Sequence, residues 1–249
     1  MTAPLRGIAL IINIASFASD QWQSRIGSDK DVRDAKKLFT GLAFTVRTLE
    51  NLSKTELLNE VHAISKEDHS AYNCFVLLLM SHGKSGVVVC SDDETLPIQS
   101  ILDELANCHT LLGKPKLLFI QACRGELEDV GVPFRASNLV SQAEVDSPIG
   151  KEREPETRVP TYADFLVASS TVDDYVSYRR DVDGSYYVRC LVEVFQERVS
   201  YDHLNDMLTI VNNSVSNMEA LRQSTIENEY RLCKQIPEVR HTLRKKVRF

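Results

Sequence analysis

Lys114-Pro115-Lys116-Leu117-Leu118-Phe119-Ile120-Gln121-Ala122-Cys123-Arg124-Gly125 is the stretch on which the reading of the fold turns. Residues 117–120 are an apolar run of strand type, and the run ends in a Cys beside an Arg and a Gly, where the backbone must turn sharply. A thiol delivered to the end of a buried strand lies at the carboxyl edge of a sheet, where open α/β sheets place their active sites. Upstream, Leu77-Leu78-Leu79-Met80-Ser81-His82-Gly83 repeats the arrangement with a histidine at the strand end. Two such strands side by side would bring the imidazole next to the thiol, as a cysteine nucleophile and its base require.

Outward from this pair, strand and helix alternate. Residues 7–14 are almost continuously apolar, as in a strand buried on both faces. Residues 15–30 are polar and read as a loop over the sheet edge. Asp29 or Asp31 then caps a helix to about residue 42, with Val32, Ala35, Leu38 and Phe39 on its inner stripe. A second strand follows over 43–49. Ser53-Lys54-Thr55-Glu56 is a capping box, and the helix it starts runs to about residue 64. Residues 75–80 form a third buried strand, 86–90 a short extended piece, and 98–106 a helix.

From residue 126 to 161 the periodicity fails, and Asp, Glu, Ser, Pro and Gly dominate. A segment of this kind inside a domain is a linker or functional loop. Regularity returns with a strand over 163–169, a polar loop through Asp183, helices over 185–199 and 203–218, and an extended end over 238–249. The pattern predicts a parallel-dominated sheet with helices on both faces.

The 249 residues suffice for one large domain, and 43% hydrophobic with 26% charged residues is ordinary for a soluble globular protein. A net charge of −6 argues against nucleic acid or an anionic membrane as principal partner. The most basic run, Arg244-Lys245-Lys246-Val247-Arg248, reads as a terminal strand with solvated charges. No stretch is apolar enough to span a bilayer, and Met1 to Gly7 lacks the core of a secretory signal. The six cysteines show no metal-type spacing, and Cys74, Cys90, Cys190 and Cys233 lie in or beside apolar runs. A cytoplasmic protein without metal or cofactor is expected.

Gln121-Ala122-Cys123-Arg124-Gly125 fits the caspase signature Q-A-C-[RQG]-G, with a histidine upstream. Ser24-Arg25-Ile26-Gly27-Ser28-Asp29-Lys30-Asp31, Lys66-Glu67-Asp68-His69-Ser70, Ala163-Asp164-Phe165-Leu166, Ser177-Tyr178-Arg179, Asp183-Gly184-Ser185 and Lys234-Gln235-Ile236-Pro237 are similar to further runs of that family. The chain therefore resembles a caspase over nearly its whole length. The resemblance implies a three-layer α/β/α sandwich around a mostly parallel six-stranded sheet, with a long linker that is cut on activation. It also implies an endopeptidase that cleaves after Asp, with Cys123 as nucleophile, His82 as base, and the backbone amides of Gly83 and Cys123 as oxyanion donors. Arg25, Arg179 and Gln121 would hold the Asp carboxylate, because a buried carboxylate suits a guanidinium fork. Ser177 and Tyr178 would complete the substrate-binding side. His69, in its Asp-His-Ser setting, reads as a turn residue, and Arg124 as structural or as a support for the active loops.

Val176 stands where many members carry an aromatic residue, and Tyr178 and Tyr186 where Trp is common, which puts preference at the neighbouring subsites in doubt. Ile14 also departs from the family pattern, as a structural residue. The linker offers Ala143-Glu144-Val145-Asp146-Ser147 as a processing site and Asp129 as a second. Cleavage at Asp146 would give a large piece, 1–146, and a small piece, 147–249, of one domain. The expected form is a short-prodomain or prodomain-less member, activated by itself or by an upstream caspase. It would act on proteins with exposed Asp in programmed cell death, as a homodimer of processed units paired through residues 240–249. Two rivals are a caspase-like regulator with little activity of its own and a peptidase of the same fold with a basic-residue preference. Intact Cys123, His82, Arg25, Gln121 and Arg179 count against the first, and Arg25 with Arg179 against the second.

Overall fold

The computed structural model describes residues 6–131, 159–223 and 230–249. Six strands form one sheet: β1 (Gly7–Asn13), β2 (Phe44–Glu50), β3 (Cys74–Met80), β4 (Lys116–Gln121), β5 (Phe165–Ser169) and β6 (Glu238–His241). Their spatial order is β6-β5-β4-β3-β1-β2, and every neighbouring pair is parallel except β6 with β5. Helices α1 (Ser28–Gly41), α4 (Tyr186–Arg198) and α5 (Leu204–Ser216) cover one face, while α2 (Lys54–Lys66) and α3 (Ile98–Ala106) cover the other. This is the three-layer α/β/α sandwich with a mostly parallel six-stranded sheet.

Burial on both faces explains the unbroken apolar strands. Along β1, Ile8, Leu10 and Ile12 enter the core beneath α2 and α3, while Ala9 and Ile11 enter the core beneath α1, α4 and α5. Residues of β3 and β4 divide in the same way: Leu77 and Leu118 go to one side, Leu78 and Phe119 to the other. Each large apolar side chain removed from water contributes roughly 1.5–3 kcal/mol, so a polar residue at any of these positions would be costly.

The register of this core places the candidate site. Met80 of β3 lies opposite Gln121 of β4. His82 and Cys123 therefore each follow two residues beyond matched strand ends. The chain runs outward from β1 to β2 and then returns to β3 on the other side of β1, which makes a topological switch point between β1 and β3. Loops at the carboxyl ends of such strands are where α/β sheets bind ligands.

Of the local readings, one stands and three need correction or completion. Helix α2 carries the expected capping box, with both the Ser53 and Glu56 halves formed. Helix α1 instead starts from Gly27 in a left-handed conformation (φ 84°) with no side-chain cap, so neither Asp29 nor Asp31 caps it. A side chain at residue 27 would collide with the Asp181 backbone, which is why the position is glycine. The polar loop before Asp183 contains short paired strands, and Ala220–Gln223 pairs with Tyr230–Cys233 in an antiparallel hairpin.

The chain end is not one long strand. β6 stops at His241, and Leu243, Val247 and Phe249 fold back onto the core, with Phe249 against Phe44 and Phe195. Arg244 of the basic run pairs with Asp164 at 2.5 Å rather than standing free in solvent. Residues 242–249 therefore pack within the chain and are not a strand, which corrects the expected extended end. The strand left at the sheet edge is Glu238–His241. No helix of the described residues is long and apolar enough to cross a membrane.

Candidate active site

A cleft of about 240 Å³ opens at the carboxyl edge of the sheet, and His82, Gln121, Cys123, Ser177, Tyr178 and Arg179 line it. Val176 and Arg222 line it as well. The loops after β3, β4 and β5 thus converge on one space, and Arg25 approaches from the loop after β1.

Cys123 differs from the other cysteines in exposure: it is half-buried, while the remaining five are buried and unpaired. Burial pushes Cys74 and Cys90 up to about 12 and Cys190 up to about 11, so these thiols stay protonated and inert. The Cys123 sulfur accepts the backbone N–H of Ser177 at 3.4 Å and lies 3.7 Å from the Ser177 hydroxyl. The sulfur also lies 3.8 Å from the Ser177 carbonyl oxygen, so one residue of the loop after β5 holds it in place.

His82 is held on its far side. Its Nε2 lies 2.7 Å from the carbonyl oxygen of Gln23. A carbonyl only accepts, so Nε2 carries the proton and the neutral ring keeps its lone pair on Nδ1. Burial is the main force lowering the His82 pKa; Arg25 and Arg179 add to it and the Gln23 bond opposes it. The ring rests against Phe17 and Trp22, with centroids 5.0 and 5.5 Å away. Among the described residues no hydrogen bond joins the imidazole to the thiol; both face the same cleft, as unliganded catalytic pairs commonly do. Gly83 follows, and a Cβ there would come within 2.6 Å of the Val87 oxygen and 2.9 Å of the Cys123 oxygen. Glycine is required for these two loops to approach.

Two guanidiniums lie near the thiol, with a carboxylate beside them. Arg25 is buried, and its Nη1 donates to Asn13 Oδ1 at 2.7 Å and to the Ile14 carbonyl at 3.1 Å. Its Nη2 is buried without a hydrogen-bond partner. Burial first, and then the neighbouring Arg179, lower the Arg25 pKa to about 9, so the group stays charged at neutral pH. Arg179 donates through Nε to the Ile26 carbonyl at 2.9 Å, and its pKa is likewise lowered by burial. Asp31 lies close enough to act on both guanidiniums; burial raises its own pKa, while Ser185 and the two arginines oppose the rise. The Asp31 carboxylate accepts the Ser185 backbone N–H at 2.9 Å and its hydroxyl at 2.6 Å. Gly184, at φ 79°, leaves room for it. The cluster carries two positive charges against one negative, with an unused donor.

Gln121 Nε2 donates to the Ser177 hydroxyl at 3.0 Å, and Gln121 Oε1 is buried without a partner. Tyr178 is buried in a cluster with Tyr186, Ala220 and Cys233, and its backbone N–H donates to Gln235 Oε1 at 2.7 Å. Gln235 Nε2 in turn donates to the Ser170 carbonyl at 2.7 Å, so one buried amide ties the cleft wall to the end of β5.

Several of these partners escaped the sequence reading. Gln23 acts through its backbone, which no side-chain pattern reveals. Asn13 and Asp31 were visible as polar residues beside apolar stripes. Arg124 is paired with Asp173 at 2.6 Å and with Glu238, so it ties the loop after β4 to the loop after β5 and to the edge strand. His69 is buried away from the cleft, with Nε2 2.8 Å from the Ile64 carbonyl. Asp129 is half-buried, its carbonyl accepting the Lys234 N–H at 2.7 Å. Just before it, Glu128 pairs with Arg222 at 3.1 Å. Asp146 lies outside the described residues.

Known proteins are similar to this chain in sequence over most of its length. The family model Peptidase C14, caspase domain, matches residues 6–248. Caspase-3 of Xenopus laevis is 36% identical over 215 residues, covering 86% of this chain and 72% of that protein. Caspase-7 of Gallus gallus is 34% identical, covering 98% of this chain and 77% of its own length. Caspase-8 of Mus musculus is 33% identical, and the match spans 98% of this chain but 51% of that longer protein. With a strand-end thiol and histidine on matched neighbouring strands, and a family match that covers almost every residue, the chain belongs to the caspase family of cysteine peptidases.

Proposed function

We propose that this protein is an endopeptidase that cuts peptide bonds on the carboxyl side of Asp, with Cys123 as nucleophile and His82 as its base. The observation that carries the specificity is the unpartnered Nη2 of buried Arg25, beside Arg179 and near the thiol. Two guanidiniums with one spare donor suit a carboxylate and repel a Lys side chain. Gln121 and Ser177 complete the polar wall, and Tyr178 with Val176 faces the residues upstream.

The sulfur, its proton passed to His82, attacks the carbonyl carbon, and the oxygen becomes an oxyanion. The backbone amides of Gly83 and Cys123 stabilise that charge. Collapse breaks the C–N bond, and the imidazolium gives its proton to the leaving amine. Water then hydrolyses the thioester and restores the thiol.

The chain is made as a zymogen and processed at Asp146, giving pieces 1–146 and 147–249. Asp129 is the weaker site, because its backbone is already bridged to Lys234 and would have to be freed first. The activator is an upstream caspase or a second copy. The active form is a homodimer joined at the exposed edge of β6, and it works in the cytoplasm in programmed cell death on proteins with exposed Asp.

The test is a panel of short peptides ending in Asp, Asn or Lys before a reporter. Cleavage after Asp alone is expected. Equal cleavage after Asn, or any preference for Lys, would sink the carboxylate pocket. A processed dimer that binds such peptides without cutting them would make the protein a regulator instead.

A further inference from the structure

The loop after β1 meets the His82 ring three times, twice through adjoining residues. Gln23 takes one ring nitrogen with its carbonyl, 2.7 Å from Nε2. The indole of Trp22 lies almost parallel to the imidazole, with 27° between the planes and 5.5 Å between centroids. Phe17 approaches the same ring at 5.0 Å, tilted by 40°. A hydrogen bond at Nε2 fixes one point of the ring and leaves rotation about that bond free. Aromatic walls remove the rotation. The indole is itself anchored, because the Lys84 ammonium sits 5.9 Å from its centroid.

We propose that Trp22 is a positioning residue of the His82 base: it fixes the plane of the imidazole and favours the imidazolium that forms during the reaction. The proposal rests on the cysteine-peptidase reading above. The charged groups acting on the ring are Arg25 from the loop after β1 and Arg179 from the cleft wall, both of which disfavour a second positive charge. Cys123, once ionised, would favour it, as does the Gln23 carbonyl. Lys84, in the short strand Gly83–Lys84 that pairs with Val87–Val89, draws on the indole and weakens its effect. The electron-rich face of Trp22 offsets part of the arginine repulsion, and stacking of this kind strengthens when the partner ring becomes cationic. Proper aim of the base is what such a wall supplies, and small misplacements of catalytic groups are expensive in rate.

Trp22 is the single tryptophan of the chain, so its emission comes from this site alone. On acidification the emission of the full chain is expected to fall in one step, with a midpoint below the ordinary histidine range, because an imidazolium quenches an indole stacked on it. The step should vanish in His82→Gln. In kinetics on Asp peptides, Trp22→Leu, which keeps apolar cover, should lower kcat roughly tenfold with KM little changed. The acid limb of kcat/KM should move to lower pH, since the cation loses support, and Trp22→Phe should restore most of both. An emission that ignores His82→Gln, or an unchanged kcat and acid limb in Trp22→Leu, overturns the proposal. Should the wild-type protein cleave no Asp peptide, the functional reading fails, while the emission step still decides whether Trp22 senses the charge of His82.

Discussion

Cys123→Ala is expected to lower kcat/KM on Asp-terminated peptides by roughly 10⁴-fold or more, because residues acting as one nucleophilic unit lose nearly everything together. The same variant should leave the 126–161 linker uncut when the chain is incubated alone. The substitution removes a half-exposed sulfur whose contacts are with Ser177, so the core is untouched and the folded state should persist. Folding is checked by thermal unfolding beside the wild type, and catalysis by single-turnover cleavage. Residual cleavage within about tenfold of wild type would mean that another group attacks the carbonyl. His82→Ala should fall in the same range, and combining both should add little, since each alone disables the unit.

Arg25→Ala should cost the Asp substrate about 2–5 kcal/mol, or roughly 30- to 4,000-fold in kcat/KM, the range for truncating one member of a buried charged pair. Discrimination is the sharper readout. The ratio of Asp to Asn cleavage should collapse toward one, because the uncharged amide never depended on the guanidinium fork. Arg25→Lys retains charge and loses the fork, and should lie between the two. Buried Asp31 would then face Arg179 alone, so some loss of stability is expected with Arg25→Ala; comparing Asp with Asn on the same protein removes that contribution. An Arg25→Ala enzyme that still prefers Asp by the wild-type ratio would assign the carboxylate to Arg179.

How much of this was legible in the sequence depended on where each residue's signal lies. β1, β3 and β4 could be read because both faces are buried, which forces apolar residues along their middles, 8–12, 75–80 and 117–120. The capping box at Ser53 and Glu56 could be read because the signal is local and complete. α3 stood out for its inner stripe, Ile98, Ile101, Leu102 and Leu105. The hairpin of 220–223 with 230–233 was not legible, since it turns just Ala220 and Cys233 inward and leaves Leu221, Tyr230 and Leu232 exposed. No period survives in such a ribbon. The chain end misled for the opposite reason: Leu243, Val247 and Phe249 look like strand residues until they are seen to cap a core formed elsewhere.

The candidate site divides along similar lines. Cys123 and His82 announce themselves through their place at strand ends and their neighbours. Arg25 could be picked out by its motif, but its burial could not, because a guanidinium in a polar loop ordinarily reaches water. Asp31 was read as a possible helix cap since an acid in a first turn usually serves the helix. Here the carboxylate turns away to Ser185, 154 residues further along the chain. The contribution of Gln23 is a carbonyl, identical in every amino acid, so its role comes from the path of the loop and not from its side chain.

The burial of five cysteines has a practical meaning as well. Their sulfurs are screened from solvent, while Cys123 alone opens onto water. A mild alkylating reagent therefore meets one reactive sulfur per folded molecule, and the incorporated label counts competent sites directly. Unfolding exposes the other five, so the jump in label uptake on denaturation measures how much of a preparation was folded to begin with. The same core that makes the strands legible turns the protein into its own titration standard.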